Sequence, residues 1–229
     1  RSSNLGFPDL VCSSFMEDDE GNIFVSSDGD GVYELSPDLK NIKHLKLDKS
    51  NVLSMRKGSS GKVWLSTWGD GAYTMDLATR EFKKETFKGI NDPVNCFMNV
   101  YEMSDGEVWA STAGDGWYVR GKDGVWNRIT PIDKNIKFPD IWAVNVAEGK
   151  DHTKWFFSTR TLWRQPKGGT PKSLLPDVIT IKSHNPLIMV DAICDEKGRL
   201  FMTSNEENFC FEPDGKSQER LDFLPEATY

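Results

Sequence analysis

Little in this sequence invites catalysis. Histidine occurs three times in 229 residues, as His44, His152 and His184, at unrelated places, and no Gly-x-Ser-x-Gly elbow exposes a serine nucleophile. The four cysteines, Cys12, Cys96, Cys194 and Cys210, lie far apart, with no CxxC pair and no Cys/His spacing of a zinc site, so they read as buried free thiols. No Asn-x-Ser/Thr glycosylation acceptor occurs. No stretch nears the roughly 18 consecutive apolar residues of a membrane helix, so this segment is not expected to insert in a membrane. The chain opens Arg1-Ser2-Ser3-Asn4, which suits a mature chain, a cytoplasmic protein or a segment trimmed of its signals. Clustered positive charge is missing too: 28 Lys plus Arg are scattered singly against 35 Asp plus Glu, a net charge of −7 that excludes nucleic acid and anionic membrane as expected partners. What remains, 38% apolar and 28% charged, is a soluble folded chain long enough for one or two domains.

What the sequence does have is a repeat. Ile23-Phe24-Val25-Ser26-Ser27, Val63-Trp64-Leu65-Ser66-Thr67 and Val108-Trp109-Ala110-Ser111-Thr112 are one pattern, with Gly21, Gly61 and Gly106 two positions earlier. Weaker copies begin at Trp155 (Trp155-Phe156-Phe157-Ser158-Thr159) and Leu200 (Leu200-Phe201-Met202-Thr203-Ser204), which makes five copies about 44 residues apart. In the first three a glycine-rich turn follows, Asp28-Gly29-Asp30-Gly31, Trp68-Gly69-Asp70-Gly71 and Ala113-Gly114-Asp115-Gly116, and then Tyr33, Tyr73 or Tyr118. Asp-Gly between apolar runs signals a hairpin, because these residues tolerate the positive φ its turn requires.

One repeat reads as four strands, exemplified by Val11 to Met16, the patterned strand, Val32 to Leu35, and Ile42 to Leu47. The patterned strand has an uninterrupted apolar triplet, which predicts burial on both faces, whereas Ile42-Lys43-His44-Leu45-Lys46-Leu47 alternates like a charge-protected edge. Four strands per 40 to 45 residues predict an all-β fold, a β-propeller of antiparallel four-stranded blades, with no helix of useful length. The expected blades are 8–50, 51–93, 94–138, 139–185 and 186–224 of a single propeller region 1–229, with 225–229 opening a further repeat. The triplets Phe7-Pro8-Asp9, Phe138-Pro139-Asp140 and Leu224-Pro225-Glu226 precede repeat starts, and no spare strand is visible to close the last blade. A piece of a larger, seven-bladed propeller is therefore expected.

Periodic residues are assigned to structure: Trp64, Trp109 and Trp155 to blade packing, and Thr67, Gly69, Gly71, Thr112, Gly114 and Gly116 to the hairpins. Asp-x-Asp-Gly at Asp28 lacks the remaining ligands of a calcium loop, and Gly58-Ser59-Ser60-Gly61-Lys62 lacks phosphate-loop spacing, so both read as turns and no metal or cofactor is expected. Among 35 acids some pair always lies at glycosidase spacing, so no catalytic residue is assigned. Function on a periodic scaffold is sought where the period breaks. In an up-and-down blade, the turn between the second and third strands and the link to the next blade emerge on one face. That face is expected to hold Trp68, Asp70, Asp115, Trp117 and Arg160, the candidate ligand contacts, with Arg160 a cation suited to a carboxylate or sulfate.

The stretch Gly61-Lys62-Val63-Trp64-Leu65-Ser66-Thr67-Trp68-Gly69-Asp70-Gly71-Ala72-Tyr73, and less closely Phe15 to Ser27, resembles the two-component regulator propeller repeat. The resemblance covers essentially the whole chain, strong in copies one to three and weak in four and five. It implies a periplasmic, non-catalytic sensor region of a hybrid two-component histidine kinase from Bacteroides-like bacteria. An oligosaccharide ligand, downstream β-sandwich and kinase domains and homodimerisation come with it. Two other readings stay open, a complete five-bladed glycan hydrolase or lyase and a plain interaction scaffold.

Overall fold

The structure is a computed structural model that describes residues 11–47, 51–129, 143–158, 162–174, 189–204, 208–216 and 218–221. Its described residues form five sheets of four strands, each strand paired with its neighbours in sequence. Blade one is β1 Cys12–Glu17, β2 Ile23–Ser27, β3 Gly31–Leu35 and β4 Ile42–Leu45. Blade two is β5 Asn51–Lys57, β6 Val63–Trp68, β7 Ala72–Met75 and β8 Phe82–Lys84. Blade three is β9 Phe97–Glu102, β10 Val108–Thr112, β11 Trp117–Arg120 and β12 Trp126–Ile129. Blade four is β13 Ala143–Glu148, β14 Lys154–Ser158, β15 Leu162–Gln165 and β16 Lys172–Ser173. Blade five is β17 Met189–Cys194, β18 Leu200–Ser204, β19 Asn208–Phe211 and β20 Gln218–Arg220. These up-and-down sheets are propeller blades, and the fold is all-β as the repeat predicts. Among the described residues no helix is long and apolar enough to cross a membrane.

The chain divides into two compact units, residues 1–110 with 119–127, and residues 111–118 with 128–229. In the first unit, Phe24, Val32, Val52, Met55, Val63, Leu65 and Met75 from blades one and two share one core. In the second, Ala147, Trp155, Phe157, Ala192, Leu200, Met202 and Phe211 do the same for blades four and five. The apolar triplet of the patterned strand is explained by this arrangement: β6, β10 and β14 bury both faces because each is packed from two sides. Trp64, Trp109 and Trp155 are all buried, as their periodicity predicts.

Two features correct the sequence reading. β14 begins at Lys154, and Lys154 pairs with Glu148 as Ile23 pairs with Glu17. The fourth copy therefore slips by one residue, which sets Trp155 level with Phe24 and Trp64 and makes His152 the counterpart of Gly21. His152 accordingly adopts φ +62°, close to the +80° of Gly21; histidine is among the few side chains that tolerate this region. Second, β18 is not buried on both faces, since Phe201 is only half-buried and Thr203 is exposed. The cysteines are free, but only Cys210 is buried, the other three being half-buried.

A further regularity is invisible in the sequence. The first strand of blades one, two, four and five has a bulge at one shared position, between Cys12 and Ser14, Val52 and Ser54, Ala143 and Asn145, and Met189 and Asp191. Beside the bulge, Ser14 Oγ accepts from Met55 N of blade two at 3.1 Å, and Asn145 Nδ2 donates to Asp191 Oδ1 of blade five.

Candidate functional site

The hairpin between the second and third strands is closed by the hydroxyl of the patterned strand. Thr67 Oγ1 donates to Gly71 O at 2.7 Å and accepts from Asp70 N at 3.2 Å. Thr112 repeats this with Gly116 O at 2.7 Å and Asp115 N at 3.1 Å. Gly69, Gly71, Gly114 and Gly116 all have φ between +73° and +103°, the conformation the tight turn demands.

The aspartate of the turn is clamped in the same way in three blades. Tyr33, Tyr73 and Tyr118 donate their hydroxyls to Asp30, Asp70 and Asp115. From the fourth strand a basic side chain meets the same carboxylate: His44 near Asp30, Lys84 on Asp70 and Arg128 on Asp115. Each also lies over the tyrosine ring, His44 stacked at 4.5 Å, and Lys84 and Arg128 at 5.7 Å. Burial and the bond to Asp30 push the Tyr33 hydroxyl up to about 12, while the bond to Asp70 raises the Lys84 ammonium above its ordinary value. Asp70 and Asp115, expected as ligand contacts, both belong to a periodic clamp in which a tyrosine and a basic side chain meet each carboxylate.

Of the other candidates, Trp117 is corrected by its burial: at 0% exposure it packs edge-on to Phe156, 6.3 Å between centroids, so it is a core residue and offers no face to a ligand. Arg160 lies outside the described residues, as do the Phe-Pro-Asp and Leu-Pro-Glu links. Trp68 does stand out. It is 45% exposed on the rim of β6, and Asp28 and Ala113 take its place in the neighbouring repeats.

Beside Trp68 the link from blade two to blade three folds back on the hairpin. Asn95 O accepts from Gly69 N at 3.1 Å and Gly71 N at 2.9 Å, and Trp68 forms a backbone bridge with Cys96. A cavity of about 350 Å³ opens between them, lined by Gly71, Lys84, Glu85, Thr86, Phe87, Pro93, Val94 and Asn95. Its apolar wall is anchored, because Phe87 stacks on Phe97 at 4.6 Å and leans on Trp126 at 4.8 Å. Its acid is oriented too: Glu85 Oε1 accepts from Trp126 Nε1 at 3.0 Å and lies 3.9 Å from Arg120 Nη1. Lys84, Glu85, Thr86 and Asn95 thus bring polar groups to a largely apolar recess. Of the lining, the sequence reading names only Gly71, and as a structural residue. The available signal was the long link itself, since Glu85 to Cys96 separates the β-strands of blades two and three where only residues 46–50 separate those of blades one and two.

The class of protein that these sheets define is the β-propeller, with a candidate ligand recess on the hairpin and link face of blade two. No family model matches the sequence, and comparison with curated proteins gives no match either. Solved structures do share the fold. The chain is similar to the extracellular domain of a hybrid two component system from B. thetaiotaomicron, with TM-score 0.74 and 14% identity over 94% of this chain and 31% of that one. It is similar to virginiamycin B lyase from Staphylococcus aureus, with TM-score 0.75 and 14% identity over 98% of this chain and 74% of that one. A gluconolactonase from Xanthomonas campestris follows, with TM-score 0.66 and 13% identity over 90% of this chain and 74% of that one. The chain spans about a third of the length of that extracellular domain.

Proposed function

We propose that this chain is a non-catalytic, ligand-sensing propeller region of an extracytoplasmic sensor, and that the ligand is a glycan fragment. The observation that carries the reading is the recess between the hairpin and the link of blade two. An apolar wall at Phe87, Pro93 and Val94 beside the polar groups of Lys84, Glu85, Thr86 and Asn95 suits a sugar, which offers apolar C–H faces and vicinal hydroxyls that both give and take hydrogen bonds. The likeness to a two-component extracellular domain supports the sensing role. In the parent protein, β-sandwich and kinase domains downstream and a second copy of the sensor would receive the signal. A ligand that touches both the hairpin and the link favours the arrangement in which the two are held together, and that differential affinity moves the equilibrium.

The lyase likeness supports a second reading, an enzyme on the same fold. One experiment separates them. A panel of acidic and neutral oligosaccharides is titrated calorimetrically against the chain and against Asn95→Ala, which alters the lining and keeps the backbone carbonyl that holds the hairpin, and the recovered glycan is analysed for cleavage. Binding that weakens about tenfold or more in Asn95→Ala, with the glycan intact, is the expected result. Binding unaffected by Asn95→Ala would remove the recess from the mechanism, and cleaved glycan would favour the enzyme.

A further inference from the structure

The two charged side chains of the blade-two recess are already committed to the protein. Lys84 pairs with Asp70 and lies over the Tyr73 ring. Glu85 Oε1 accepts from Trp126 Nε1 and has Arg120 beside it at 3.9 Å. Lys84 is the one cation among the lining residues, so a carboxylate or sulfate entering here would have to take it from Asp70. The recess is therefore poorly suited to an acidic sugar.

Its neutral polar side chains are uncommitted. Among the described residues neither the Asn95 amide nor the Thr86 hydroxyl has a hydrogen-bond partner, and both residues are exposed. The Asn95 backbone is nevertheless fixed, because its carbonyl accepts from Gly69 N at 3.1 Å and Gly71 N at 2.9 Å. A side-chain amide so placed offers one group that donates and one that accepts. Phe87, Pro93 and Val94 make the remaining side-chain surface of the recess apolar, and the Phe87 ring is held by Phe97 and Trp126. At about 350 Å³ the cavity is at the low end of ligand pockets, room for one sugar residue.

A plain hexose lays a C–H face on this wall and leaves the Asn95 amide to its hydroxyls. An acetamido substituent uses more of the lining: it is uncharged, ends in a methyl group, and carries an N–H and a C=O that an amide side chain complements. We propose that the recess recognises an N-acetylated amino-sugar residue, with the methyl against Phe87, Pro93 and Val94, the acetamido group on the Asn95 amide, and ring hydroxyls on Thr86 and Glu85. This inference rests on the glycan-sensing reading and names the sugar class. Burying one methyl is worth about fourfold in affinity, and a net hydrogen bond about twofold to tenfold. The acetamido group is therefore expected to raise affinity about tenfold or more over the parent hexose.

The test sets N-acetylglucosamine, N-acetylgalactosamine and N-acetylmannosamine each against glucose, galactose and mannose, with N-methylacetamide as the acetamide without a sugar. Affinities and contact sites are read by saturation-transfer NMR on the chain and on Asn95→Asp, which keeps the side-chain shape and removes the amide donor. At least one N-acetylated sugar is expected to bind about tenfold or more tighter than its parent hexose, with the acetyl methyl protons the most strongly saturated. In Asn95→Asp, at an unchanged thermal midpoint, that preference should fall to about threefold or less. Parent hexoses that bind as well as their N-acetylated forms would overturn the proposal and leave the sensing reading standing. Saturation centred on ring protons, a preference that survives Asn95→Asp, or N-methylacetamide binding as tightly as the sugars would each overturn it too. So would the absence of any sugar binding, and the sensing reading would then be decided by the oligosaccharide titration.

Discussion

Glu102, at the end of β9, ties the β5–β6 turn and Trp64 of β6 to blade three, and its removal is open to a worked test. Its carboxylate accepts from Trp64 Nε1 at 2.8 Å, Ser60 N at 2.9 Å, Ser60 Oγ at 2.8 Å and Ser59 Oγ at 3.1 Å. Trp64 is 2% exposed, so Glu102→Ala leaves a buried indole N–H without an acceptor while the serines regain water. An orphaned buried donor costs about 1–3 kcal/mol, so with the weaker loss at the serines the expected destabilisation is about 2–3 kcal/mol. The same clamp predicts a pH dependence. Burial opposes the charge, but the bonds from Trp64, Ser60 and Ser59 outweigh it and hold the Glu102 carboxyl below its ordinary value of 4.5. A group whose pKa is depressed by folding contributes stability that is complete above the unfolded value and is lost as pH falls through the folded one. Urea unfolding of wild type and Glu102→Gln between pH 7 and pH 3 checks this. The gap between the two proteins should be constant from pH 7 to about 5 and narrow below about 4.5. A parallel decline of both curves, or an alanine variant costing under about 0.5 kcal/mol, would refute the reasoning.

Two other outcomes are expected. Gly89 has φ +101°, and a Cβ there would lie 2.6 Å from Trp126 O and 2.8 Å from Val125 Cγ1. Gly89→Ala should therefore cost about 2 kcal/mol or more by urea unfolding and weaken any ligand binding at the Phe87 recess, and a neutral variant would show that this link does not dock on β12. Burial, with Asp151 nearby, pushes the Cys194 thiol up to about 12. At pH 8 roughly one thiol in ten thousand is then ionised, and iodoacetamide should label Cys194 far more slowly than a free cysteine, a result that mass spectrometry of the digested protein reads directly.

The blades were legible in the sequence because their signals are local. The apolar triplet, the hydroxyl at Thr67 and Thr112 and the Asp-Gly turn all act within a dozen residues of chain, and burial of the recurring tryptophans follows from their period. Trp68 and Trp117 show where that reasoning stops. Both sit beside a turn, yet one side chain is half in water and the other is sealed against Phe156. The register separates them once the strands are placed: Trp117 takes the position of Val32 and Ala72, which are buried too, whereas Trp68 takes that of Asp28 and Ala113, which are not.

The sequence by itself therefore determined the repeating unit, its four strands and its hairpin chemistry, because hydrophobic period and turn propensity are properties of neighbouring residues. Only the tertiary structure decided the rest. The one-residue slip of the fourth copy, the basic partners of Asp70 and Asp115, the recess between Lys84 and Asn95 and the seal of Phe156 over Trp117 all depend on how strands pair and blades pack. Such contacts are selected by the packing of one sheet against another, and no local pattern encodes them.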